Sequence, residues 1–93
     1  MSQDNRLSPR LAVDDVVEVN VRGTFWEFIA VDVSDTGIGL EPVAADVLTV
    51  GDRVIVVLPN QDEIPADVLE SSDYRVRLRF RPTGDSVVEV FKR

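Results

Sequence analysis

Between Tyr74 and Phe80 the chain alternates without a break. Tyr74, Val76, Leu78 and Phe80 fall on one side, and Arg75, Arg77 and Arg79 on the other. A period of two suits a strand with one buried and one wet face, and it cannot be satisfied by a helix. The same period appears at Val17, Val19 and Val21, which alternate with Glu18 and Asn20. Four more short runs are rich in β-branched and aromatic residues. They cover Phe25–Val33 (with Ile29, Val31 and Val33 read as one face), Ile38–Leu40, Arg53–Leu58 and Ile64–Leu69. Turn residues punctuate them at Gly23-Thr24, Asp35-Thr36-Gly37, Gly51-Asp52, Pro59-Asn60 and Ser71–Asp73. Six short strands at regular spacing predict a mainly all-β domain, a small antiparallel barrel or sandwich.

Two ends depart from this pattern. Residues 1–10 are polar, carry Pro9 and show no periodicity, so they read as a flexible arm ahead of a domain spanning 11–93. The last segment reads as a short C-terminal helix, capped by Asp85, with Val87, Val90 and Phe91 on one face. It reads almost as well as a strand through Val88 and Val90.

Composition narrows the chemistry. The 93 residues fit one domain. The sequence contains neither cysteine nor histidine, which removes disulfides, thiol chemistry and the commonest general base and metal ligand. No nucleophile, base and oxyanion donor stand out together, so the expectation is a non-enzyme with no catalytic residue, metal or cofactor. No apolar run reaches membrane-spanning length and the N-terminus does not resemble a signal peptide, so a cytoplasmic protein without membrane insertion is expected. A net charge of -7 and six aromatic residues argue against a nucleic-acid polymer as partner. The basic residues are nevertheless grouped, with Arg6 and Arg10 near the start and Arg75, Arg77, Arg79 and Arg81 late in the chain. That late stripe reads as the solvated outside of a strand offset by acidic neighbours, or else as a basic surface beside a bound ligand or a docking face for an acidic partner. Trp26, the single tryptophan, reads as packing or else as a platform near the arm.

Two short patterns carry the functional signal. Arg6-Leu7-Ser8-Pro9-Arg10 is an R-x-x-x-R pair, and Asp32-Val33-Ser34-Asp35-Thr36-Gly37 is D-x-S-x-x-G where a strand enters a turn. In that order and spacing the chain resembles the PilZ domain, a bacterial family of cyclic di-GMP receptors. The resemblance implies a six-stranded antiparallel β-barrel, usually with a C-terminal helix, and cyclic di-GMP as ligand. It further implies that Arg6 and Arg10 clamp guanine and phosphate while Asp32, Ser34 and Gly37 line the barrel half of the site.

The residue types suit that ligand. A guanidinium pairs bidentately with phosphate oxygens or with a guanine O6/N7 edge. A carboxylate accepts the guanine N1–H and N2–H₂ donors, and glycine lets backbone approach closely. Asn5 stands where many family members carry another arginine, which bears on whether one ligand or a stacked pair binds. A single small module of this kind is expected to signal through a downstream protein partner. The alternative is a ligand-independent adaptor that binds its partner through the arginine stripe or an edge strand.

Overall fold

The computed structural model describes residues 10–42, 47–82 and 86–92. Six strands form in chain order: β1 (Leu11–Val21), β2 (Thr24–Val33), β3 (Gly37–Leu40), β4 (Arg53–Val57), β5 (Glu63–Ser71) and β6 (Val76–Phe80). A short helix, α1 (Val88–Phe91), follows. All strand pairs are antiparallel, and they close in the order β1-β2-β3-β6-β5-β4, with β4 returning to β1. The all-β expectation is therefore met as a barrel, and closure leaves no free sheet edge. The terminal segment is a helix, not a strand.

The period of two sets the inside. Val17, Val19 and Val21 from β1, Phe28 and Ala30 from β2, Ile38 and Leu40 from β3, Val54 and Val56 from β4, Ile64, Ala66 and Val68 from β5, and Val76, Leu78 and Phe80 from β6 form one core. Val87 and Phe91 of the helix segment join it. Most of these are β-branched, which packs well on a pleated surface. The β1–β2 hairpin turns at Arg22 and Gly23, both with positive φ (51° and 89°), as a two-residue hairpin loop that follows strand twist requires. Arg22 is held there by its guanidinium, which donates to the Asp52 carboxylate at 2.9 Å and to the Val47 carbonyl at 3.3 Å.

Four sequence expectations are corrected. Strand β1 starts at Leu11, six residues before the clean alternation, because Asp15 takes a position on the parity of the buried Val17 while the apolar Val16 faces out, which hides the period. Ile29, Val31 and Val33 do not share a face. An extra residue at Val31 bulges β2 against β3, so Ile29 and Val31 are exposed while Val33 is buried. Tyr74 leaves the β6 face and is 89% exposed. It lies in a turn where the Ser72 hydroxyl accepts the Tyr74 and Arg75 amides at 3.2 and 3.3 Å. Trp26 is 43% exposed and so only partly packed, because it lies close to the hairpin tip, at the rim of the barrel, opposite Val19. Asp85, read as the helix cap, lies outside the described residues.

Candidate functional site

The bulge at Val31 is what makes a site. Strict alternation from Phe28 and Ala30, both buried, would turn Asp32 into the core, where an unpaired carboxylate is prohibitively costly. One extra residue moves Asp32 to the outer face and returns Val33 to the inside. There Asp32 stands opposite Gly39 of β3. A Cβ built on Gly39 would fall 2.8 Å from Asp32 Oδ1, so the carboxylate occupies space that only glycine leaves open.

Arg10 meets Asp32 from the start of β1. Its Nε donates to Asp32 Oδ1 at 3.1 Å, and its Nη2 lies in close contact with the same oxygen. Both side chains stay more than a third exposed, so the pair contributes on the order of 0–1 kcal/mol and is cheap to open. Around them lies a cleft of about 240 Å³ lined by Arg10, Val31, Asp32, Gly39, Leu40, Arg75, Val76 and Arg77.

The other residues of the D-x-S-x-x-G pattern build the adjoining turn. Ser34 is buried, and its Oγ accepts the Thr36 and Gly37 amides, each at 3.2 Å. The Thr36 hydroxyl is 3.1 Å away. The Ser34 amide donates to the Gly37 carbonyl at 2.8 Å, and the Phe80 amide donates to the Thr36 carbonyl at 2.9 Å, fastening the turn to β6. Gly37 is needed for a close approach to β6, since a Cβ there would lie 2.6 Å from the Leu78 carbonyl oxygen. Asp35 points away, accepting the Ser86 hydroxyl and the Val88 amide at 3.0 Å each.

Arg10 and Asp32, twenty-two residues apart, are thus brought together. Ser34 and Gly37 stand next to them with their contacts directed into the turn and β6. Arg6, and with it most of the 1–10 arm, lies outside the described residues. Val31 and Gly39 join the cleft without having been singled out for it, and Arg75 and Arg77 come to it from the stripe whose second reading was a basic surface beside a ligand. Gly39 follows Gly37 by two, the spacing of one strand face, and was the one signal available for it.

The arginine stripe divides. Arg75 donates to Glu70 at 3.0 Å and Arg81 to Asp67 at 3.1 Å, the acidic offset that the sequence suggested. Arg77 and Arg79 have no such partner among the described residues. The described residues also contain no grouping of three or more acidic side chains placed to hold a metal ion. No helix among them is long and apolar enough to cross a membrane.

Comparison with known proteins bears on the family and the fold. The family model of the PilZ domain matches residues 4–93. No curated protein matches the sequence. Among solved structures, the PilZ domain of CeSA from a cellulose-synthesising bacterium superposes with a TM-score of 0.65 at 20% identity, over 90% of this chain and 89% of that one. The Bacillus subtilis inhibitor of motility superposes with a TM-score of 0.64 at 22% identity. That match covers 96% of this chain and 49% of the other, so this chain spans about half of that protein. At such identities the two structures speak for the fold, and the family model speaks for the sequence. With nearly its whole length matched, and with the closed six-stranded barrel that a solved member shares, the chain belongs to the PilZ domain family.

Proposed function

We propose that this chain is a non-catalytic receptor for cyclic di-GMP that signals by protein contact. The observation that carries the reading is the meeting of Arg10 with Asp32, which joins the two sequence motifs at one cleft. The ligand takes over both halves of that ion pair. Asp32 turns its oxygens to the N1–H and N2–H₂ donors of guanine, and Arg10 turns its fork to phosphate or to the O6/N7 edge. The pair given up is a weak surface one. Ser34 and Gly37 hold the turn beside Asp32 rigid, and the 1–10 arm brings Arg6 over the bound ligand. The conformational signal is that closure.

A protein partner would read the result. Val16 and Ile29 are directly paired and exposed on the outer face of β1 and β2. Val31, on the same face, also lines the cleft. Ligand and apolar surface therefore meet at one residue, where a partner can sense both.

Calorimetric titration with cyclic di-GMP tests the reading, with GTP and cyclic di-AMP as controls. Selective binding at micromolar strength or better, about -8 kcal/mol or more favourable, is the expected result. Arg10→Ala should abolish it. Absence of heat from the wild-type chain at high ligand concentration would leave the ligand-independent adaptor as the function. The stoichiometry reports whether Asn5 restricts the site to a single ligand.

A further inference from the structure

One row of the outer face runs Asp32, Gly39, Arg77, from β2 through β3 to β6. The middle residue has no side chain, so the Asp32 carboxylate leans over its bare backbone from one flank, with Arg77 on the other. Their strands are two inter-strand spacings apart, roughly 10 Å. Both flanking residues line the cleft.

The charge arithmetic at this cleft is unusual for an acidic chain. Its ionic lining is Arg10, Asp32, Arg75 and Arg77, three cations against one carboxylate. Asp32 is engaged by Arg10. Glu70 stands directly opposite Arg77 in the β5–β6 register, yet its carboxylate is turned to Arg75 at 3.0 Å and to the Ser72 hydroxyl at 3.5 Å. Arg77 is half-buried and has no counterion among the described residues. A partly desolvated guanidinium without a partner is a cost to the fold, and an anion arriving in the cleft removes it. Arg79, two residues on, differs on both counts, being exposed and absent from the cleft lining.

We propose that Arg77, which belongs to neither motif, is the barrel-wall cation that neutralises a phosphodiester of the bound ligand. This rests on the receptor reading above and adds a third binding arginine to it. Arg10 and Asp32 then read the base from one side of Gly39, while Arg77 holds the phosphate from the other.

The experiment is a calorimetric titration with cyclic di-GMP at low and high salt, run on wild type, Arg77→Gln, Arg77→Lys and Arg79→Gln, each with a thermal melt. Arg77→Gln should bind at least about tenfold more weakly, as loss of a charge-assisted hydrogen bond implies, and with a shallower salt dependence. Arg77→Lys should recover affinity to within about threefold of wild type, because a point charge still serves a phosphate. Arg79→Gln should bind like wild type, and all four proteins should melt together. The assignment is overturned if Arg77→Gln keeps wild-type affinity at both salts, if Arg79→Gln falls as far, or if Arg77→Lys is no better than Arg77→Gln. A wild-type chain that binds nothing overturns the receptor reading itself, an outcome distinct from all of these.

Discussion

Asp35 accepts the backbone amide of Val88 at 3.0 Å, across fifty-three residues of sequence. The same oxygen takes the Ser86 hydroxyl, so one carboxylate from the β2–β3 turn caps the only helix described. The first-turn amides of a helix lack internal partners, and Val87, the residue before α1, has no side chain able to serve them. Asp35→Ala should therefore cost about 0.5–1 kcal/mol, the low end of the range for a lost cap, because the contact is exposed. Hydrogen exchange should show the loss where it occurs. Amides of residues 88–91 should exchange faster, while those of β3 and β6 keep their protection.

The same contact predicts a pH dependence. The Val88 amide, followed by the Ser86 hydroxyl and the Val87 amide, holds the Asp35 carboxyl below its ordinary value of 3.8, against a smaller opposing effect of burial. The Thr49 amide and the Arg22 guanidinium do the same for Asp52, which ties the β1–β2 turn to the start of β4. A folded-state value below the unfolded one gives stability that is complete above 3.8 and disappears as pH falls through the lower folded value. Denaturant melts of wild type and Asp35→Ala should differ at pH 6 and draw together as pH falls below 3.8. A difference that persisted unchanged at the lower pH would mean that the carboxylate charge contributes nothing to the cap.

The two glycines of β3 should respond differently to the same methyl group. In Gly37→Ala the new Cβ would lie 2.6 Å from the Leu78 carbonyl oxygen, a backbone atom that cannot move without opening the β3–β6 pairing. A loss of about 1–3 kcal/mol is expected, the usual range for overpacking. In Gly39→Ala the conflict is with the Asp32 carboxylate at 2.8 Å, and a side chain can swing aside. Gly39→Ala should melt close to wild type yet displace Asp32 from Arg10. Its signature is weakened ligand binding with stability retained. Thermal melts alongside ligand titrations of the two variants distinguish a fold glycine from a site glycine.

The alternation of Val76, Leu78 and Phe80 with Arg77 and Arg79 was enough to find β6 and to sort its faces. It worked because β6 itself contributes no extra residue to its pairings. Where a strand bulges, period-two reading assigns the wrong face from that point on. That is why Ile29 and Val31 were read with Val33; the early part of β1 was missed because Asp15 shares the parity of Val17 while the apolar Val16 faces out. The bulge at Val31 is also what brings Asp32 outward, so the feature that defeated the pattern is the one that creates the site. Arg10 and Asp32 were legible as motif residues because both lie in short local patterns. Gly39 was not, and Arg77 was legible only as one member of a basic stripe, since their relation to Asp32 is one of register across three strands. Asp35 looked like turn punctuation, and nothing local announces a partner in α1.

Ser34 provides a last test, because its two roles separate energetically. Its side chain is buried, 1% exposed, and the hydroxyl oxygen accepts two amides of the turn. Ser34→Ala removes the acceptor of the buried Gly37 amide and should cost about 1–3 kcal/mol. Ser34→Thr keeps the oxygen but adds a methyl group against a packed turn, and should lose less, about 1 kcal/mol. Ser34→Cys keeps the volume with a poor acceptor and should fall nearer to alanine. If that order of stabilities holds in chemical melts, the serine of the D-x-S-x-x-G pattern acts first by fixing the turn that carries Asp32 into position. If instead Ser34→Ala melts like wild type while its ligand affinity collapses, the hydroxyl serves the ligand directly, and the turn is held by the Ser34–Gly37 and Phe80–Thr36 backbone bonds alone.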